Sequence, residues 1–280
     1  MFLVTGASGN VGREVTNELS KRGKKVRVFT RNADKFNSLR DQVEIATGDM
    51  AQPETFQKAA SGVEGIFLMN GALDGGVFRQ LVSAAKAQGV QKIIFLSSLF
   101  ASIPGSKIGT LHKDKEDAIR EAGLTGVSLR AGGFMTNTYQ WIGPIRAENM
   151  VPNPLGTGRI ANIAPEDIAA VAVEELTSPS ASEQVLELTG GSLLTIPEQV
   201  SILAKMLNKE IRCVDVPVDM AVQGAVRGGA PAQLANEIRE SFSLIRDGKV
   251  EIVTGTVAKV LGRAPMHFEE WAKKHAAKFA

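Results

Sequence analysis

The segment Thr5-Gly6-Ala7-Ser8-Gly9-Asn10-Val11-Gly12 constrains this chain more than any other stretch. It is a G-x-x-G-x-x-G turn between an apolar run, Phe2–Val4, and an amphipathic stretch that opens at Val11. Each glycine has a separate role in such a turn. Gly6 permits the reversal, Gly9 lets the backbone approach a pyrophosphate, and Gly12 lets a helix lie close on a sheet. The free N–H groups and positive dipole end of that helix then face the phosphates. Thr5, Ser8, Asn10 and Val11 complete the expected cofactor-binding turn. Glycines also mark ordinary turns, so the weight rests on context. Here a strand precedes, a helix follows, and a second apolar run, Val26–Phe29, stands at βαβ spacing.

The same rhythm continues through the first half. Apolar runs recur at Val43–Ala46, Gly65–Met69, Lys92–Leu96 and Gly126–Leu129. Helical patterns lie between them at Val11–Arg22, Pro53–Ala60, Gly76–Gln88 and Thr110–Ala122, several ending in glycine. Continuous rather than alternating apolar strands suit a parallel sheet covered on both faces. The fold class expected is α/β, a Rossmann-type doubly wound parallel sheet with a smaller, mostly helical C-terminal substrate lobe. Residues 131–161 are rich in Gly, Pro and Asn and predict long loops over a cleft. A helix over Pro165–Leu176 and a strand over Gln184–Leu188 are expected to rejoin the sheet. Beyond residue 191 the patterns predict helices at Ile196–Leu207, Pro217–Val226, Ala232–Arg246 and His267–Phe279, with a strand at Ile211–Val216. Residues 1–131 and 159–190 thus form the expected dinucleotide-binding domain, and residues 132–158 and 191–280 the substrate lobe.

Composition removes other classes. The 32 basic and 30 acidic residues leave a formal charge of +2, too little for a protein that binds nucleic acid by neutralising phosphates. A single cysteine, Cys213, and three histidines, His112, His267 and His275, offer no metal-site spacing, so no metal is expected. No apolar run reaches membrane-spanning length, and the opening lacks the pattern of a signal peptide. The expectation is a cytoplasmic protein, monomer or homodimer, acting on a small molecule.

The end of the second strand bears on which dinucleotide is bound. NAD-binding units place a carboxylate there for the ribose 2′-hydroxyl. This chain has Arg31, whose guanidinium can pair with a 2′-phosphate, and Lys35 stands nearby. NADP(H) is therefore preferred, with NAD(H) as the alternative.

With these features in place, the chain resembles the NmrA-like family of atypical short-chain dehydrogenases, and within it the bacterial quinone oxidoreductases and triphenylmethane dye reductases. The resemblance is carried by Thr5–Gly12; Gly48-Asp49-Met50; Gly62–Leu68; Ser97-Ser98; His112 followed by Glu116; and Leu129–Asn137. Leu188-Thr189-Gly190 and Phe268-Glu269-Glu270-Trp271 extend it. Ala131 departs from it, standing where the family usually has proline. The resemblance implies that Asp49 and Met50 border the adenine, and that Met69, Asn70 and Gly71 line the ribose and nicotinamide. It also implies that Gly132, Gly133 and Phe134 lie against the nicotinamide, with Met135 and Asn137 towards the substrate.

Ordinary short-chain dehydrogenases use a Tyr-x-x-x-Lys pair on the helix after the fifth strand. The only tyrosine here, Tyr139, lies beyond that helix, which carries His112, Lys113 and Lys115 instead. Ser97 and His112 are the candidates for meeting charge on a reduced substrate. Lys115 is expected on a solvated helix face, and Tyr139 and Trp141 are candidates to cover the pocket. Two functions fit. One is an NADPH-dependent oxidoreductase that reduces a quinone, dye or other conjugated electrophile without the Tyr–Lys pair. The other is a non-catalytic NADP(H) sensor of the NmrA type, which would show an apolar partner surface over residues 217–246 and an ordering segment at Val222–Pro231.

Overall fold

The computed structural model describes residues 1–69, 73–179 and 184–279. In chain order the first elements are β1 (Phe2–Thr5), α1 (Asn10–Lys21), β2 (Val26–Thr30), β3 (Glu44–Thr47), α2 (Pro53–Ala59), β4 (Gly65–Met69) and α3 (Gly75–Ala87). Then come β5 (Lys92–Ser98), α4 (Lys107–Glu121), β6 (Thr125–Ala131), α5 (Ile142–Glu148), β7 (Met150–Asn153), α6 (Pro165–Thr177) and β8 (Val185–Leu188). The last are α7 (Ile196–Leu207), β9 (Arg212–Asp215), α8 (Val218–Arg227), α9 (Ala235–Arg246), α10 (Thr256–Leu261) and α11 (Phe268–His275). They fall into two compact units, one of residues 1–101, 109–131 and 165–187, the other of residues 102–108, 132–164 and 188–280.

The first unit holds a sheet ordered β3-β2-β1-β4-β5-β6-β8, and its strands run parallel in register from β3 through β6. This is the Rossmann order, with the chain crossing from β3 back past β1 to β4. Side-chain alternation sorts the core. Leu3, Ile66, Leu68, Ile93 and Phe95 pack with Phe56 of α2, Phe78 and Leu81 of α3, and Ile119 of α4. The opposite face receives α1 and α6, which pack against each other. Burial on both faces explains why these strands read as unbroken apolar runs.

The second unit pairs β7 with β9 in parallel and is otherwise helical. One sequence expectation is corrected here. Residues 131–161 are not long loops: they form a 3-10 turn over Met135–Trp141, then α5 and β7. Trp141, Ile145 and Val151 are buried, so an apolar face survives among the glycines and prolines. Asn149 ends α5 in the left-handed conformation (φ 47°), a cap that asparagine tolerates. Of the segment Val222–Pro231, residues 222–227 lie within α8. Among the described residues no helix is long and apolar enough to cross a membrane.

Candidate active site

The Gly-rich turn is built by exclusion of side chains. Gly6 sits at φ 62°, and a Cβ there would fall onto the Met69 sulfur. A Cβ on Gly12 would fall onto the Gly6 carbonyl oxygen, so α1 seats against the turn only because Gly12 has none. The Gly9 N–H donates to that carbonyl at 2.8 Å and closes the turn. Gly9 is the N-cap of α1 and supplies no side-chain oxygen, so no side chain of the cap residue covers the positive end of α1. Ser8 and Asn10 are exposed beside it, while Val11 is buried beneath. This arrangement fits a pyrophosphate. Thr5 plays a different part. It is fully buried, its Oγ donates to the Phe67 carbonyl at 3.2 Å, and it accepts from the Met69 N–H at 2.8 Å. Thr5 thus stitches β1 to β4 rather than facing a ligand.

The carboxyl ends of the neighbouring parallel strands extend this edge. Arg31 and Lys35 are exposed just past β2. Asp49 and Met50 follow β3, half-buried, in a turn held by the Ala51 N–H donating to Asp49 Oδ1 at 2.9 Å. Gly48 is crowded by the Phe29 ring and Thr55, so the chain passes tightly there. Met69 ends β4; Asn70 and Gly71 lie outside the described residues.

The α4 face brings together groups that the sequence did not unite. His112, Lys115 and Glu116 stand at i, i+3 and i+4, hence on one side of the helix. Lys115 is not solvated as expected: it is 5% exposed, with Nζ 5.8 Å from the centre of the Phe78 ring. Burial pushes its amine below the usual lysine value, opposed by Asp74 and Asp114. Burial also lowers the His112 imidazole to about 4, with the Lys115 charge acting in the same direction and Glu116 against it. Glu116 anchors two strands. Ser97 Oγ donates to its Oε1 at 2.5 Å, and Arg130 donates Nε to Oε1 at 3.0 Å and Nη2 to Oε2 at 2.6 Å. That pairing and the Glu116 charge raise the Arg130 guanidinium further, against the opposing effect of burial. Ser97 is only 4% exposed, so its hydroxyl proton serves Glu116. The i+4 spacing from His112 to Glu116 was the available signal for this anchor.

In the second unit, the motif Gly132–Met135 is pinned by its backbone. The Gly132 N–H donates to the Leu188 carbonyl at 2.9 Å, the Ile163 N–H to Gly133 at 2.8 Å, and the Met135 N–H to Ile163 at 2.9 Å. A Cβ on Gly133 would meet Asn162 and Ile160. Met135 lines a cavity of about 10 Å³ with Asn162, Gln199, Met266, His267 and Phe268, room for about one water. Phe134 is half-buried and Asn137 exposed. Tyr139 lies in a C-terminal aromatic cluster. Its ring centre is 5.5 Å from that of Trp271 and 5.8 Å from that of Phe279. Its hydroxyl shares a hydrogen bond with His275 Nδ1 at 3.0 Å and accepts one from Lys278 Nζ at 3.0 Å. Trp141 is buried in the same unit. The tyrosine therefore does meet a lysine, but from the C-terminus and not from α4.

Comparison with known proteins agrees with this fold. The chain is 31% identical over 284 residues to an NAD(P)H azoreductase of Xenophilus azovorans, covering 100% of this chain and 99% of that one. It is 30% identical to a (4-alkanoyl-5-oxo-2,5-dihydrofuran-3-yl)methyl phosphate reductase of Streptomyces griseus, covering 100% and 99% respectively. A crystal structure of Citrobacter sp. triphenylmethane reductase complexed with NADP(H) superposes with a TM-score of 0.85 at 24% identity, covering 99% of this chain and 100% of that one. The family model described as "NmrA-like family" matches residues 1–272, and the chain belongs to that family.

Proposed function

We propose that the chain is an NADP(H)-dependent oxidoreductase that reduces a quinone, azo compound, dye or similar small conjugated electrophile. The observation that carries this reading is the glycine-built turn before α1, followed at the end of β2 by Arg31 and not a carboxylate. Relatives with nearly full-length coverage are named as NAD(P)H-dependent or other reductases. The α1 N-terminus would hold the pyrophosphate, Arg31 and Lys35 the 2′-phosphate, and Asp49 and Met50 the adenine. Met69, at the end of β4, would border the nicotinamide. When bound, the reduced nicotinamide supplies a hydride.

The chain's own groups then set the proton chemistry. At neutral pH the His112 imidazole is uncharged, so it serves as a neutral hydrogen-bonding group and not as an imidazolium acid. Ser97 holds Glu116, and through it Arg130, just before the Gly132–Phe134 loop. An acceptor that is already electron-poor needs little acid assistance, which suits a site without the Tyr–Lys pair on α4. The sensor alternative called for an apolar surface over residues 217–246. Among the described large apolar residues there, Met220 is strongly exposed, and Val218, Val226, Leu234, Ile238, Phe242 and Leu244 are half-buried.

The test is the loss of reduced-nicotinamide absorbance with NADPH or NADH against a panel of quinones, azo dyes and cationic dyes. Turnover with NADPH above NADH is the expected result. Tight NADPH binding without turnover of any acceptor would move the assignment to the sensor.

A further inference from the structure

The helix that carries His112, Lys115 and Glu116 begins without an acidic residue of its own in its first turn; Lys107 stands there instead. An acidic residue in that turn would meet the positive dipole end of the helix and its leading N–H groups. The missing carboxylate comes from a residue more than a hundred positions later. Glu240, on α9, accepts from Ser106 Oγ at 3.0 Å and from the Lys107 N–H at 2.7 Å through Oε1, and from the Ile108 N–H at 3.3 Å through Oε2. Residues 102–108 and Glu240 belong to the same compact unit, and Ser106 is 3% exposed, while Glu240 is half-buried. The adjacent Arg239 donates Nε to Asp219 of α8 at 2.8 Å, and α8 packs along α9. The first turn of α4 has little slack, because a Cβ on Gly109 would fall onto the Phe100 carbonyl oxygen.

We infer that Glu240 is a positioning residue of the reductase: as the remote N-cap of α4, its carboxylate fixes the start of the helix whose next turns present His112 and Glu116. A negative charge at a helix N-terminus that also takes two backbone N–H groups is the strongest form of cap available to a side chain. Active groups one and two turns further along inherit the register that it sets. Small displacements there cost rate rather than cofactor affinity, because the glycine turn and Arg31 lie on other elements. The catalytic part of this inference rests on the reductase reading; the capping part does not.

The test compares wild type, E240A and the double variant E240A/S106D, which supplies α4 with a local carboxylate at its N-cap. Each is measured for NADPH affinity, for kcat with a benzoquinone acceptor, and for amide exchange over residues 107–111. In E240A, kcat is expected to fall about tenfold while the NADPH dissociation constant stays within about twofold, and exchange over 107–111 to accelerate. S106D is expected to restore both. Wild-type kcat and exchange in E240A would overturn the inference. So would a kcat that stays low once S106D has restored protection, since the cap would then be irrelevant to the rate. If wild type turns over no acceptor, the reductase reading falls and exchange with the His112 ring resonances decides. Both unchanged in E240A would overturn the positioning role, and both shifted and then recovered by S106D would uphold it. Should E240A not fold, E240Q retains one acceptor oxygen and is read in the same way.

Discussion

Ser97 gives its hydroxyl proton to Glu116 across 2.5 Å, and the same carboxylate holds Arg130 at two points, so one side chain of α4 ties the ends of β5 and β6. Arg130 and Glu116 are 15% and 9% exposed at the side chain, which makes this a sheltered ion pair. Removing one partner leaves the other charge poorly solvated. Glu116→Gln is expected to lower the unfolding free energy by about 3 kcal/mol, read from denaturant midpoints. Ser97→Ala removes one hydrogen bond to a charged group and is expected to cost about 1.5 kcal/mol. Its kcat should stay within about threefold of wild type, because that hydroxyl is committed to Glu116. A hundredfold loss would return Ser97 to the reacting atoms.

Arg31 is expected to decide cofactor choice. It is exposed just beyond β2, where a guanidinium meets a 2′-phosphate without a desolvation penalty. Arg31→Ala should weaken NADPH binding by about ten- to a hundredfold, the worth of a charge-assisted hydrogen bond, and leave NADH unchanged. Fluorescence titration of both cofactors checks it. Equal losses for the two would place Arg31 away from the phosphate.

His112 ties stability to acid. Its folded-state value, about 4, lies below the ordinary 6.5, so the unfolded chain takes up the proton first. The contribution is present above pH 6.5 and is lost progressively as pH falls from 6.5 towards 4. A shift of this size is worth about 3 kcal/mol. Urea unfolding across that window should show the decline in wild type and a flatter profile in His112→Gln. Identical slopes in the two would mean that the imidazole titrates as it does in water.

Much of this was legible because it is local. The glycine spacing, the apolar runs and Arg31 each declare a backbone requirement or a charge at a fixed distance along the chain, and β1 through β6 formed where those signals lay. What stayed hidden was set by partners distant in sequence. Lys115 reads as a surface lysine until α3 covers it with Phe78. Ser97 reads as a catalytic hydroxyl until Glu116 takes its proton. Residues 131–161 read as loops because glycine and proline outweigh the sparse apolar positions that bury Trp141, Ile145 and Val151. Tyr139 reads as a pocket cover, and only the fold brings His275 and Lys278 to its hydroxyl.

Two glycine-to-alanine substitutions separate helix propensity from fit. In a helix interior the exchange usually stabilises by up to about 1 kcal/mol, since alanine loses less backbone entropy on folding. Gly224, within α8, has nothing within 4 Å of the position a methyl would take, so Gly224→Ala is expected to gain roughly that amount. Gly12 lies in the first turn of α1, and its Cβ would fall onto the Gly6 carbonyl oxygen and carbon. Backbone cannot rotate aside as a side chain can, so α1 and the turn must separate. Here overlap outweighs propensity: Gly12→Ala should destabilise by about 2 kcal/mol and raise the NADPH dissociation constant at least about tenfold, because the N–H groups that face the pyrophosphate move with the turn. Thermal melts and cofactor titrations of the two variants read both effects. A stabilised Gly12→Ala that still binds NADPH would show that the turn does not need the close approach of α1.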